Sequence, residues 1–180
     1  MRSAGWICLP PIDTVAGAVH CSADVLDPTT AQKIEAWLSS GLVRIVHFGT
    51  PCTSFSKARR LGDGGPGPIR SPDHLLGIPG IPAADLAKVK LGTKLLDITL
   101  QWTQLALQAG SQITIENPAS SMIWLMPDMV KLILDPHWHV FIPYVLLCST
   151  FCEARFISVL TCVLATTGSN LPRSFCQPLS

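Results

Sequence analysis

The sequence predicts an α/β fold: a mostly parallel, Rossmann-like sheet with helices on both faces. Two β-branched apolar runs, residues 42–48 and 113–115, are separated by a long segment of helical period. Polar residues able to do chemistry stand where the apolar runs end: Asp13, Asp24, Cys52 and Glu116. In open α/β sheets ligands gather at the carboxyl ends of strands, so this placement belongs with the fold class. At 180 residues, 48% apolar and 14% charged, the chain is sized for one domain, 1–180, with a substantial core.

Taken in order, residues 5–11 read as a short strand closed by Asp13, and a second short element ends at Ala23-Asp24. Residues 30–40 carry Ile34, Trp37 and Leu38 at helical spacing behind Asp27-Pro28-Thr29, which has the chemistry of a helix start, and Gly41 stops them. The run 42–48, interrupted by Arg44 and His47, is a mostly buried strand ending at Gly49-Thr50-Pro51. Glycine and proline then dominate residues 56–84, a long loop expected to be mobile because it has little apolar surface to bury. Lys57, Arg59, Arg60 and Arg70 would give it positive charge where a phosphate backbone could pass. Residues 85–109 form a long helix capped by Gly110, and 113–115 a strand running into Glu116-Asn117-Pro118. A helix over 121–134 and strands near 140–147 and 156–164 complete the series.

Several function classes fall away. The most apolar C-terminal stretch, 156–167, has about half the length a bilayer requires, and Glu153 and Arg155 bound it, so no membrane span is expected. Residues 1–6 begin no apolar run of signal-peptide length, which predicts an intracellular protein, nuclear if the source is eukaryotic. Seven cysteines, an odd number without repeating spacing, argue against a disulfide framework. His137 and His139 with Cys148 and Cys152 match no standard zinc spacing, so no metal is expected. The glycine-rich stretch 62–68 does not join a strand to a helix and is no phosphate cradle. A net charge of +1 leaves nucleic-acid binding to a local patch.

Gly49-Thr50-Pro51-Cys52-Thr53-Ser54-Phe55-Ser56 puts a cysteine just past a strand, in a turn rich in small hydroxyl residues. Backbone N–H groups and arginines could stabilise a thiolate there; an inert buried cysteine, or the nucleophile of a Cys-His hydrolase, are the other readings. Ile115-Glu116-Asn117-Pro118 repeats the design with a carboxylate at a strand end and a rigid turn after it.

Pro51-Cys52 followed by Ser54-Phe55-Ser56 resembles the nucleophile motif of cytosine-5 DNA methyltransferases, and Ile115-Glu116-Asn117 resembles their Glu-Asn motif. The resemblance spans about residues 5–134 and implies S-adenosylmethionine as cofactor and DNA as partner, with RNA as an alternative substrate. It makes Cys52 the nucleophile and Glu116 its acid partner, with Arg155 the best match to a later arginine-containing strand. Asp13 is similar to the residue that holds the cofactor's ribose and Asp24-Val25 to the pair at its adenine, with Pro51 also beside the cofactor. Ser54, Ser56, Arg59 and Arg60 would meet the nucleic acid. The family's Gly-containing first strand and loop are expected to precede Arg2, which predicts a partial, monomeric catalytic domain lacking that strand. The rival expectation is an inactive methyltransferase remnant, mobile-element-derived, that at most binds nucleic acid.

Overall fold

The computed structural model describes residues 12, 24–56, 67–141 and 161–166 of the chain. Asp13, Lys57, Arg59, Arg60, Cys148, Cys152 and Arg155, and the strand expected over 5–11, lie outside the described residues.

The first helix, α1 (Pro28–Ser39), starts where its capping chemistry says it should: the Asp27 side chain accepts a hydrogen bond from Thr30 N at 2.8 Å and Pro28 opens the first turn. Strand β1 (Ile45–Phe48) follows; it is shorter than the run 42–48 and not mostly buried as expected, because only Val46 and Phe48 face the core, half-buried, while Ile45 and His47 are exposed. Helix α2 (Ala83–Gln108) buries Val89, Gly92, Leu96, Thr99, Trp102, Thr103 and Ala106, a stripe of one face, and the chain leaves it through Gly110 at φ +83, a left-handed turn that favours glycine. Trp102 Nε1 donates to Glu35 Oε1 at 3.1 Å and so ties α2 to α1.

Strand β2 (Gln112–Pro118) is longer than its apolar centre predicts, because Glu116, Asn117 and Pro118 pair with a neighbouring strand instead of turning away. The helix expected over 121–134 is broken into a 3-10 turn (Met122–Leu125) and α3 (Pro127–Leu134). Pro127 disfavours helical backbone at the residue before it, and Met126 is extended at φ −63, ψ 134. Strands β3 (Trp138–Phe141) and β4 (Thr161–Thr166) close the series.

The four strands form one sheet in the order β1-β2-β4-β3. β1 and β2 are parallel, with Ile45 opposite Gln112 and Phe48 opposite Ile115, while β4 is antiparallel to both β2 and β3. The fold is α/β as expected, but the sheet is mixed. Only β1 and β2, joined through α2, keep the parallel pairing that a helical crossover allows, whereas β4 runs antiparallel to both of its neighbours.

Ile113, Ile115 and Asn117 of β2 are buried, whereas Thr114 and Glu116 point to the opposite face. Ile34 and Leu38 of α1, Leu96, Trp102 and Ala106 of α2, Met129 of α3 and Trp138 of β3 join Ile113 and Ile115 in a single core. Among the described residues the helices therefore gather on one face, not both. Ile45, His47, Thr114 and Glu116 line the other, and Ile45, His47 and Glu116 are exposed there.

Candidate active site where the two motifs meet

Two adjacent parallel strands open their carboxyl ends on the same edge of a sheet. With Phe48 opposite Ile115, Glu116 stands level with Gly49, and Cys52 follows in the turn beyond β1. Phe55 N donates to Cys52 O at 2.8 Å and closes that turn. Two cross-links hold it against the Glu-Asn segment: Asn117 Nδ2 donates to Thr50 O at 2.6 Å, and Met122 N donates to Phe55 O at 2.9 Å. The Oγ1 atoms of Thr50 and Thr99 are 2.9 Å apart, and Thr99 also donates to Leu95 O, so Thr50 is the donor to Thr99 and the turn is fastened to α2 as well. Trp124 Nε1 donates to Pro118 O at 2.8 Å and fixes the far side of the Glu-Asn-Pro turn.

Beneath the Pro-Cys turn lies Arg70, only 1% exposed. Its Nε donates to Ser54 O at 3.1 Å, one terminal nitrogen donates to Val89 O at 2.7 Å and to the hydroxyls of Ser54 and Thr93 at 3.1 Å, and the other donates to Leu75 O. The guanidinium also stacks 4.0 Å from the centre of the buried Phe55 ring. Burial pushes its pKa down to about 10, which leaves it a cation at neutral pH. Gly92 makes room for this arrangement: a Cβ there would lie 2.1 Å from Ser54 Oγ.

Glu116 projects from the open face of β2, where its Oε2 lies 3.4 Å from His47 Nε2 on β1, and the two side chains are 48% and 55% exposed. The other ring nitrogen, Nδ1, is 2.8 Å from Thr114 Oγ1. Asn117, on the buried face, keeps its Oδ1 enclosed without a hydrogen-bond partner.

The structure thus brings Pro51, Cys52, Ser54, Ser56 and Glu116 to one edge, with Cys52 half-buried and Pro51 exposed. Ser54 is not a surface contact for nucleic acid, because it is buried and its hydroxyl is engaged by Arg70. Arg70 is not a phosphate ligand for the same reason. Nor are residues 67–82 an unstructured loop: Ile78 N donates to Ile69 O at 3.1 Å, and Ser71 and His74 form an isolated bridge. Asp24 and Val25 lie just ahead of α1; Asp24 Oδ1 accepts from Leu26 N at 2.8 Å, and Val25 packs against the core. Sequence reasoning named His47 and Asn117 without giving either a role of its own, and missed Gly92. His47 alternates with Ile45 as Thr114 alternates with Glu116, but the register that sets one pair against the other is not written in either strand.

Among the described residues no helix is long and apolar enough to cross a membrane, and no group of three or more His, Cys, Asp or Glu could hold a metal. Comparison with protein-family models, with curated proteins and with solved structures gives no match.

Proposed function

We propose that the edge carrying Cys52 and Glu116 is a cytosine-C5 methyl-transfer site acting on a base flipped out of DNA. The observation that carries this reading is the clamp between the two motifs: a cysteine turn and a carboxylate strand, 64 residues apart by subtraction of 52 from 116, share an edge and are bonded to each other through Asn117 and Thr50. Cytosine C5 is a poor nucleophile until C6 is attacked. Cys52 Sγ, as thiolate, forms a bond to C6; the C5–C6 π pair moves towards C4, the C4–N3 π pair moves onto N3, and N3 takes the proton of the Glu116 carboxyl. A base then removes the C5 proton after methylation, the S–C6 bond breaks, and the N3 proton returns to Glu116. The target must leave the stack to be reached.

Of the residues assigned to S-adenosylmethionine, Asp24, Val25 and Pro51 are described. Exposed Asp24 beside half-buried Val25 offers a carboxylate acceptor and an apolar surface, a donor set that suits an adenine amine and ring, so the pair fits that end of the cofactor. When bound, the cofactor supplies the electrophilic methyl group.

A second reading, an inactive remnant that at most binds nucleic acid, is favoured by the half-exposed position of Glu116 on an open sheet face. One experiment separates the two. On an oligonucleotide carrying 5-fluorocytosine, which has no C5 proton to release, the active chain accumulates a covalent adduct that depends on S-adenosylmethionine and is lost in Cys52→Ser. An adduct of equal yield in Cys52→Ser, or none in the intact protein, supports the remnant. The same oligonucleotide made as RNA tests the alternative substrate.

A further inference from the structure

We propose that His47 is the positioning residue that holds the proton Glu116 delivers, an inference that rests on the methyl-transfer reading of the site. Thr114 Oγ1 donates to Val46 O at 3.4 Å, which turns its lone pairs towards His47 Nδ1 at 2.8 Å. With the Thr114 proton on Val46 O, Nδ1–H is the donor to Thr114 Oγ1, and it is in this tautomer that Nε2 presents a lone pair to Glu116 Oε2 at 3.4 Å. Two lone pairs at that separation repel unless a proton lies between them. A proton taken up by the pair would lie between Nε2 and Oε2, as an imidazolium-carboxylate or as a carboxylic acid facing a neutral ring.

Nucleophilic addition at C6 needs that proton at N3. As the base enters, the proton passes from Nε2 to Oε2 and on to N3; when the S–C6 bond breaks it returns by the same route, so the cycle consumes none. His47 touches neither the base nor Cys52 in this scheme and acts through Glu116 alone. The groups facing it are Thr114 and Glu116 of β2, its same-face neighbour on β1 is Ile45, and the next titratable residue along its row of the sheet is His139 of β3, beyond β2 and β4. Apo contacts of this kind are often long and tighten when substrate arrives.

The test uses the full chain. Nitrogen-15 NMR at alkaline pH is expected to show His47 in the Nδ1–H tautomer, and an Nε2–H tautomer overturns the inference. On the 5-fluorocytosine oligonucleotide with S-adenosylmethionine, His47→Gln, which keeps a donor for Glu116 but cannot exchange its proton, is expected to form the Cys52 adduct more slowly by about tenfold or more. His47→Ala is expected to regain rate on addition of imidazole, with far-UV circular dichroism confirming that both variants fold. Equal rates for wild type and His47→Gln, or no response of folded His47→Ala to imidazole, overturn it. If the wild-type chain forms no adduct, the methyl-transfer reading fails, and the tautomer then decides the His47–Glu116 pair by itself.

Discussion

Arg70 is taken out of water and repaid with hydrogen bonds to the Ser54, Val89 and Leu75 carbonyls and the Ser54 and Thr93 hydroxyls, all neutral oxygens. Replacing it by Met would strand the Ser54 and Leu75 carbonyls, at about 1–3 kcal/mol for each group stranded, whereas Val89 O keeps the Thr93 hydroxyl as a donor. Arg70→Met is therefore expected to lower the urea midpoint by an amount equivalent to about 3 kcal/mol or more. Arg70→Lys should recover part of the loss, since an ammonium keeps the charge but cannot present the guanidinium fork. The pKa of about 10 lies below the ordinary arginine value, so folded and unfolded chains both hold the proton well below pH 10. Only above about pH 10 does the unfolded chain bind more protons, and stability then rises with pH as the burial penalty is relieved. The cost of Arg70→Met should accordingly be constant from about pH 6 to 9, and a slope across that window in paired urea titrations would assign the effect to another group. Gly92→Ala tests the same cluster from the other side. Alanine is better than glycine in a helix by about 1 kcal/mol, but its Cβ would meet Ser54 Oγ at 2.1 Å. Overpacking costs about 1–3 kcal/mol and outweighs that gain, so the variant is expected to melt below wild type.

Among the elements, α1 has the most legible start. Hydrogen bonds from Thr30, backbone N–H first and side chain second, hold the Asp27 carboxyl below the usual carboxylate range. A folded-state pKa below the unfolded one gives stability that is complete above the unfolded value of about 3.9 and is lost as pH falls through the lowered one. Asp27→Asn should keep the cap but lose this acid dependence, and Asp27→Ala should lose both; thermal melts from about pH 2 to 6 distinguish them. Helix α3 shows where local reading fell short. The 3.6-residue pattern over 121–134 is continuous in apolar residues, yet Pro127 divides it, and Ser121 caps the preceding 3-10 turn by accepting from Ile123 N at 3.3 Å. Proline at the first helical position is a start signal as much as a stop, and the pattern alone does not choose.

For the whole molecule, one core joins all three helices to β2 and β3, so loss of packing at its centre is felt everywhere. Ile113 is fully buried there, and Ile113→Ala is expected to cost about 2–5 kcal/mol. The change should appear as a single transition, with near- and far-UV circular dichroism coincident; separated transitions would mean that the sheet and the helices unfold as separate units. The opposite face differs in kind. A parallel pair of strands is ordinarily covered on both faces, but Ile45 of β1 is 51% exposed, and farther along the same open layer Glu116 stands beside His47. That exposure lets solvent reach the His47–Glu116 pair.

Periodicity, capping residues and the ends of apolar runs are local properties, and by themselves they determined the α/β class, α1, α2, β1 and the centre of β2, and singled out Cys52 and Glu116. Tertiary structure alone decided what depends on register and on partners distant in the chain. The parallel pairing of His47 with Thr114 and Ile115 with Phe48 set Glu116 against His47. Pairing with β4 kept Glu116-Asn117-Pro118 in strand and made the sheet mixed. Arg70 reads in sequence as one more positive charge in a glycine-rich loop, because nothing near it announces that Ser54, Val89 and Thr93 will surround it. A charge belongs to the surface or the core according to whether the fold supplies enough acceptors to replace water, and that supply comes from the assembled chain.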